Sequence, residues 1–408
     1  MNILYIDHYA GSPKMGMEFR PYYLAREWVK RGHDVTIIAG DYSHLRRENP
    51  NVREDFQEEM IDGIRYLWVQ TGEYEGNGVA RALTMFRFTA KLMKHAGSLV
   101  KRFHPDAVIA SSTYPLDSYP AKKIARKAGA RYIHEVHDLW PATLYEIGGM
   151  SKNHPFVVLL QIAEDHAYKS CDALVSLLGG AKEYMMQHGL AGEKFHYLGN
   201  GVVLEEWQGS TKMPEPHREL LGKLHEEGRF IVGYFGGHAL SNNLGHLLDV
   251  AEAMKDREDI AFVLVGDGVE KPRLTEDAER RGLRNVHFLP PIAKDEVPDL
   301  VSCFDIVFIT AKDSPLYRYG VSMNKMFDAM MAGVPVVEAI DAPSTLISEA
   351  DAGITVPPKD TEAAVQAVER FASMDAEERR AYGRRGQESV KEHHNYEKLA
   401  LEFEKLFS

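Results

Sequence analysis

The chain has 408 residues, 44% of them hydrophobic, with a formal net charge of −12, which gives apolar material for two ordinary domains. Lys and Arg balance Asp and Glu in residues 1–200, at 24 against 23, but fall short in residues 201–408, at 24 against 37; no half is basic enough for general nucleic-acid binding. Cys171 and Cys303 make neither a disulfide framework nor a metal-ligand spacing, no apolar run nears the ~20 residues of a membrane span, and Met1–Asp7 lacks the pattern of a signal peptide, so the expected location is the cytosol.

Residues 2–6 read as a first strand, followed by a glycine-bearing loop at 9–21 and a helix near 22–31. Gly11 and Gly16 permit tight turns, and Pro21 suits the first turn of a helix. Helix N-termini attract anions, yet the loop has no G-x-G-x-x-G fingerprint and reads equally well as a simple turn. Arg20 beside it is a candidate for an acceptor or for an interdomain cleft. Further strands are expected at 34–39, 64–69, 107–110, 131–136 and 173–177.

No acid occurs between Glu75 and Asp106, where Arg81, Arg87, Lys91, Lys94, Lys101 and Arg102 interleave with Leu83, Phe86, Phe88, Leu92 and Phe103. Two readings stay open for the helix spanning 79–103: an amphipathic contact with an anionic membrane surface, or a domain helix with a solvated basic face. Residues 134–141 hold two histidines and two acids. On a strand His134 and His137 point to opposite faces, which disfavours a metal pair, and the spacing is one residue short of H-E-x-x-H. His134 reads as a core residue, and Asp138 as a partner that orients the His137 imidazole.

The strand-and-helix alternation restarts after a polar boundary near 199–216, with strands at 230–235, 261–265, 286–289, 305–310, 334–337 and 353–356. Such alternation signals parallel sheets with crossover helices. The loops at 236–244, 266–271 and 289–292 each follow a strand, and open α/β sheets bind ligands at those ends. Residues 319–335 then place Lys325 and Asp328 three apart on one helix face. A cation suits phosphate and a carboxylate suits ribose hydroxyls.

The 319–335 segment resembles the donor-binding motif of family 4 glycosyltransferases, in the subgroup whose signature runs S-P-x-K-x-F-E/D-Y-M-x-A-G-x-P. The resemblance covers essentially the whole chain. It implies an α/β chain of two tandem Rossmann-like, doubly wound domains facing across a cleft, the GT-B fold. Residues 1–200 plus a crossover helix at about 391–408 would form the acceptor side, and residues 201–390 the donor side. It further implies a retaining transferase that moves a sugar from a nucleotide-sugar, a UDP-sugar, to a glycan or lipid-linked acceptor in bacterial cell-surface polysaccharide synthesis, without metal or other cofactor.

By that resemblance Asp328 holds the ribose, while Ser322, Asn324 and Lys325 serve the sugar and pyrophosphate. His137, in an H-D-x-x-P element, faces the sugar and the leaving phosphate. Gly16 lies over the donor, and Gly266 and Ile292 shape the nucleobase pocket. Two departures stand out: Gly320 occupies the place of the family's first glutamate, and Gly237 and Asn242 occupy those of an arginine and a lysine. Backbone amides, His238 and Asn242 would have to assist Lys325. A UDP-sugar 2-epimerase of the same fold, or a non-catalytic partner in a polysaccharide-assembly complex, is the rival reading. A dinucleotide oxidoreductase is disfavoured by the missing glycine fingerprint.

Overall fold

A computed structural model describes residues 1–16, 19–76, 78–209 and 211–408. These divide into two compact units, Met1–Gly199 with Tyr396–Ser408, and Asn200–Asn395.

The first unit is an eight-stranded sheet of β1 (Asn2–Ile6), β2 (Asp34–Gly40), β3 (Gln57–Ile61), β4 (Ile64–Val69), β5 (Ala107–Ala110), β6 (Arg131–Val136), β7 (Ala173–Ser176) and β8 (Phe195–Tyr197). Their order is β3-β4-β2-β1-β5-β6-β7-β8. All pairings are parallel except β3 with β4. The central strands are continuous apolar runs because helices cover both faces of a parallel sheet. Two strands were not expected from sequence. β3 reads QEEMI and lies half exposed at the sheet edge, so it carries no apolar run; β8 has only three residues.

Helix α1 (Phe19–Lys30) holds Pro21 in its first turn. Its inner face carries Trp28, which is fully buried and closes the unit by meeting the chain's last segment. The indole Nε1 donates to the Ala400 carbonyl at 3.0 Å, and the ring stands edge-on to Phe403 and Phe407. The terminal segment differs in detail from one crossover helix at about 391–408. The Ala376–His393 helix belongs to the second unit, and a separate Tyr396–Glu404 helix packs on α1.

The second unit is a six-stranded, wholly parallel sheet of β9 (Phe230–Phe235), β10 (Ile260–Val265), β11 (Val286–Leu289), β12 (Ile306–Thr310), β13 (Val336–Ala339) and β14 (Gly353–Val356), in the order β11-β10-β9-β12-β13-β14. Side chains alternate between two cores: Ile231, Val263 and Val307 enter one, and Val232, Phe262 and Phe308 the other. Every loop named from sequence as a ligand loop in this unit therefore leaves the same, carboxyl edge of one sheet.

Trp28→Ala should destabilise the first unit by about 3–5 kcal/mol, the cost of a deleted buried aromatic. Trp28→Phe keeps most of the packing and loses one buried bond, a loss of about 1 kcal/mol. Urea unfolding of the two variants checks the order.

Candidate functional site

In the second unit, Tyr234 near the end of β9 and the loop that follows form a cradle for one ammonium group. Lys325, in the Asn324–Met331 helix, donates through Nζ to the Tyr234 hydroxyl at 2.9 Å and to Asn242 Oδ1 at 2.8 Å. It also stands 4.5 Å from the Tyr234 ring centroid. The cradle is rigid because the Gly237 carbonyl accepts from both Tyr234 Oη and Asn242 Nδ2. These partners are neutral, and burial pushes the ammonium down to about 7. Gly237 itself is exposed, with open space where a Cβ would stand.

Asp328 shares the helix face with Lys325 but has its own cation. Lys294 Nζ lies 2.7 and 2.8 Å from its two oxygens, and the carboxylate is only 6% exposed. The i, i+3 spacing turns Lys325 and Asp328 to one side but carries no trace of this pair, because Lys294 is 34 residues distant in sequence. Ser322 is bound to the start of the unit: its Oγ accepts from the Asn200 amide and its carbonyl from Asn200 Nδ2. Asn324 is exposed at the first turn of the helix, where amides lack intrahelical acceptors.

His238 corrects an expectation. It was expected to assist at the pyrophosphate, but its ring is fully buried, between Tyr234 and Phe288, and burial lowers it to about 4. The cause is the close approach of two loops. The His238 amide donates to the Asp267 carbonyl at 2.7 Å, and the His238 carbonyl accepts from Glu270 at 3.0 Å. Gly266 sits so near that a Cβ there would lie 1.9 Å from the Gly236 carbonyl oxygen, at a φ of +150°. No other residue fits. Lys271, also missed, ties two strand ends by donating to Gly266 and Leu289 carbonyls at 2.6 and 2.8 Å. Ile292, half buried, packs on the core beyond β11.

The first unit has a second polar centre at the carboxyl ends of β5 and β6. Glu135 is fully buried and accepts from Arg20 Nε at 3.0 Å, Tyr5 Oη at 2.5 Å and Ser111 Oγ at 2.6 Å. Burial alone would raise its carboxyl, but Arg20, His137 and Ser111 outweigh that and hold it far below the usual carboxylate range. His137 Nε2 stands 2.9 Å from Ser111 Oγ and 3.2 Å from Glu135 Oε2. The single serine proton goes to Glu135, so Nε2 donates to the serine oxygen.

Two expectations change here. The carboxylate that hydrogen-bonds the imidazole is Glu135, while Asp138 interacts with the same imidazole through charge. Arg20, expected at an acceptor or a cleft, is 4% exposed and spends its remaining donors on the Gly199 and Leu198 carbonyls at 2.6 and 3.0 Å. Gly16 adopts a φ of +91° at the end of a turn, where a Cβ would stand 3.0 Å from Arg47 Cγ; Met17 and Glu18 of the same loop lie outside the described residues. His134 is buried against Tyr132 and Tyr168.

Helix α2 (Val79–Phe103), for which a lipid-facing and a solvated reading both stand open, has most of these cations engaged. Arg81 donates to Tyr9 Oη, Arg87 to the Thr71 carbonyl, Lys91 to Asp55 and the Gln70 carbonyl, and Arg102 pairs with Glu58. No helix among the described residues is long and apolar enough to cross a membrane.

Arg20→Met should cost about 3–5 kcal/mol, because it strands a buried carboxylate. The companion Arg20→Met/Glu135→Leu variant should recover part of that loss, since it removes both charges. Chemical denaturation of both proteins tests the pair.

Residues 15–201 match the family described as glycosyl transferase 4-like domain, and residues 229–374 match glycosyl transferases group 1. The "Probable glycosyltransferase WbjE" of Pseudomonas aeruginosa is 25% identical over 312 residues, 73% of this chain and 72% of the relative. Among solved structures, sucrose-phosphate synthase from Thermosynechococcus elongatus superposes with a TM-score of 0.76 at 16% identity, covering 100% of this chain and 98% of that one. HepE of Anabaena, solved in complex with UDP and glucose, gives 0.67 at 16% identity over 99% and 98% of the two chains. With such a match in each half, the chain belongs to the glycosyltransferases of GT-B fold.

Proposed function

We propose that this glycosyltransferase uses a UDP-sugar and retains the anomeric configuration, acting on a glycan or lipid-linked acceptor in cell-surface polysaccharide synthesis at the cytoplasmic face of the membrane. The observation that carries the reading is the Lys325 ammonium, held by neutral acceptors at the carboxyl edge of a parallel sheet. A diphosphate would supply the missing counter-charge. The UDP complex of HepE, a protein of the same fold, supports that choice of ligand.

In the proposed step the bond from the anomeric carbon to the diphosphate oxygen breaks, and the acceptor oxygen bonds the same face of that carbon. The acceptor proton passes to the departing phosphate, so no carboxylate nucleophile is assigned. Lys325 and the first amides of its helix stabilise the charge that develops on the diphosphate. Asn242 and Tyr234 aim that ammonium. Asp328 is assigned to the ribose hydroxyls, with Lys294 positioning its carboxylate, and Gly266 and Ile292 to the base. His137 is assigned to the sugar by the resemblance of its H-D-x-x-P element, with Ser111 and Glu135 fixing its ring. No metal is invoked.

Incubation with a panel of UDP-, GDP-, ADP- and TDP-sugars, read by thermal shift, ranks the donors: a ligand at a hundredfold its Kd adds about 2.7 kcal/mol. Epimerised sugar formed from donor alone would overturn the transferase reading. Asp328→Ala should weaken UDP binding by about 1.5–3 kcal/mol, whereas Lys325→Ala should lower kcat more than it weakens binding. Unchanged affinity or turnover removes the residue concerned from the site.

Binding should also depend on pH in one direction. With its free value lowered to about 7, Lys325 is neutral above that pH and must regain a proton when a diphosphate arrives. Affinity should then be flat below pH 7 and fall by up to about tenfold per unit above it. Titration calorimetry at about pH 8 in buffers of different ionisation enthalpy should show close to one proton taken up per UDP-sugar bound. Lys325→Arg, which stays charged, should abolish the uptake.

A further inference from the structure

A cavity of about 440 Å³ opens in the second unit, beside the Leu244–Ala253 helix. That helix packs on one face of the sheet, and the helix that carries Lys325 packs on the other. Gly245 and His246, from the first turn, line the cavity together with Asn243 just ahead of it. Lys312 beyond β12 and Lys359 beyond β14 border it as exposed residues. The loop after β9 divides it from the lysine cradle: Asn242 bonds Lys325, and the next residue, Asn243, borders the cavity.

The chain leaves polar capacity unused at this place. His246 is 3% exposed, and neither of its ring nitrogens has a hydrogen-bond partner. The Asp360 main chain and the Asp249 carboxylate lie within electrostatic reach of the ring, but neither completes a bond to it. Asn243 Nδ2 is likewise buried and unpaired. Asn243 holds the cap position at a φ of +47°, yet its side chain does not cap the helix. The first amides of a helix lack intrahelical acceptors and carry the positive end of its dipole. Three buried nitrogens without partners are costly unless a ligand supplies them.

The unused groups select the ligand. Asn243 Nδ2 and the helix amides only donate, and a neutral imidazole donates through one nitrogen; burial lowers His246 and keeps it neutral. Such a set calls for an acceptor, and a helix N-terminus favours a negative one. The surrounding charges are balanced: Arg281 meets Asp249 and Asp277, each at 2.6 Å, and Lys359 meets Asp313 at 3.3 Å. Bulk charge therefore does not define the site, while exposed carboxylate and guanidinium groups suit hydroxyls. The volume lies within the ~300–1,000 Å³ of small-molecule sites.

We propose that this cavity binds a sugar monophosphate, with its phosphoryl group at the first turn of the Leu244–Ala253 helix against Asn243 and His246, and its hydroxyls at the Asp249–Arg281–Asp277 cluster. This ligand is distinct from the nucleotide-sugar assigned to the Lys325 side, and its binding involves no transfer.

Titration calorimetry of the intact chain with ribose 5-phosphate and with glucose 6-phosphate, without donor, is the test. One or both should bind, one per chain and at least about tenfold more tightly than inorganic phosphate, and free ribose and glucose should not bind. Gly245→Asp puts a carboxylate into open space beside the amides. It should abolish binding yet hold or raise Tm, because an acid in the first turn and the loss of a glycine both favour the helix. Gly245→Ala, which adds no charge, should bind within about threefold of the unaltered chain. His246→Leu should weaken binding roughly tenfold or more, the scale of one hydrogen bond to a charged group. Lys325→Ala should leave binding unchanged. Absence of binding by both esters, equal binding of inorganic phosphate, or full binding by Gly245→Asp would overturn the proposal. So would loss of binding in Lys325→Ala alone, which would place the probe at the donor edge.

Discussion

The buried ion pair of Arg20 with Glu135 is the constraint around which the first unit is arranged. A guanidinium and a carboxylate withdrawn from water are tolerable only if their remaining donors and lone pairs are matched. Here every match comes from a different part of the chain: Tyr5 from β1, Ser111 beyond β5, and the Leu198 and Gly199 carbonyls beyond β8. The requirement therefore fixes the carboxyl ends of the central strands relative to α1. His137 inherits its orientation from the same group, because the serine proton already belongs to Glu135.

The second unit solves a related problem with less charge. Its ligand edge is held by backbone approach, with Gly236 against Gly266 and His238 trapped between Tyr234 and Phe288. Lys271 ties two of its loops, and Lys294 holds the Asp328 carboxylate. Lys325 is left with neutral partners in a poorly solvated place. A group so held is primed for a dianionic visitor, since the arriving charge restores the stability that burial removed.

The departures from the family pattern fit this arrangement. Gly237 and Asn242, which stand where an arginine and a lysine were expected, build the lysine cradle: one supplies a carbonyl and the other an amide that bridges it to Nζ. One cation that is well oriented and partly desolvated can then be stronger towards phosphate than several that are free in water.

Features encoded over a few neighbouring residues were legible in the sequence. The parallel strands were readable as apolar runs, the Lys325–Asp328 spacing as one helix face, and the glycine loops as strand-to-helix turns. The polar edge strand β3 was not, because an edge needs no apolar run. What only the tertiary structure decided were the partners: Glu135 for Arg20 across 115 residues, Lys294 for Asp328 across 34, and Tyr234 for Lys325 across 91. Periodicity reports which side of an element is apolar, but a charge finds its counterpart through desolvation and hydrogen-bond geometry, and those exist only once distant segments have closed on one another.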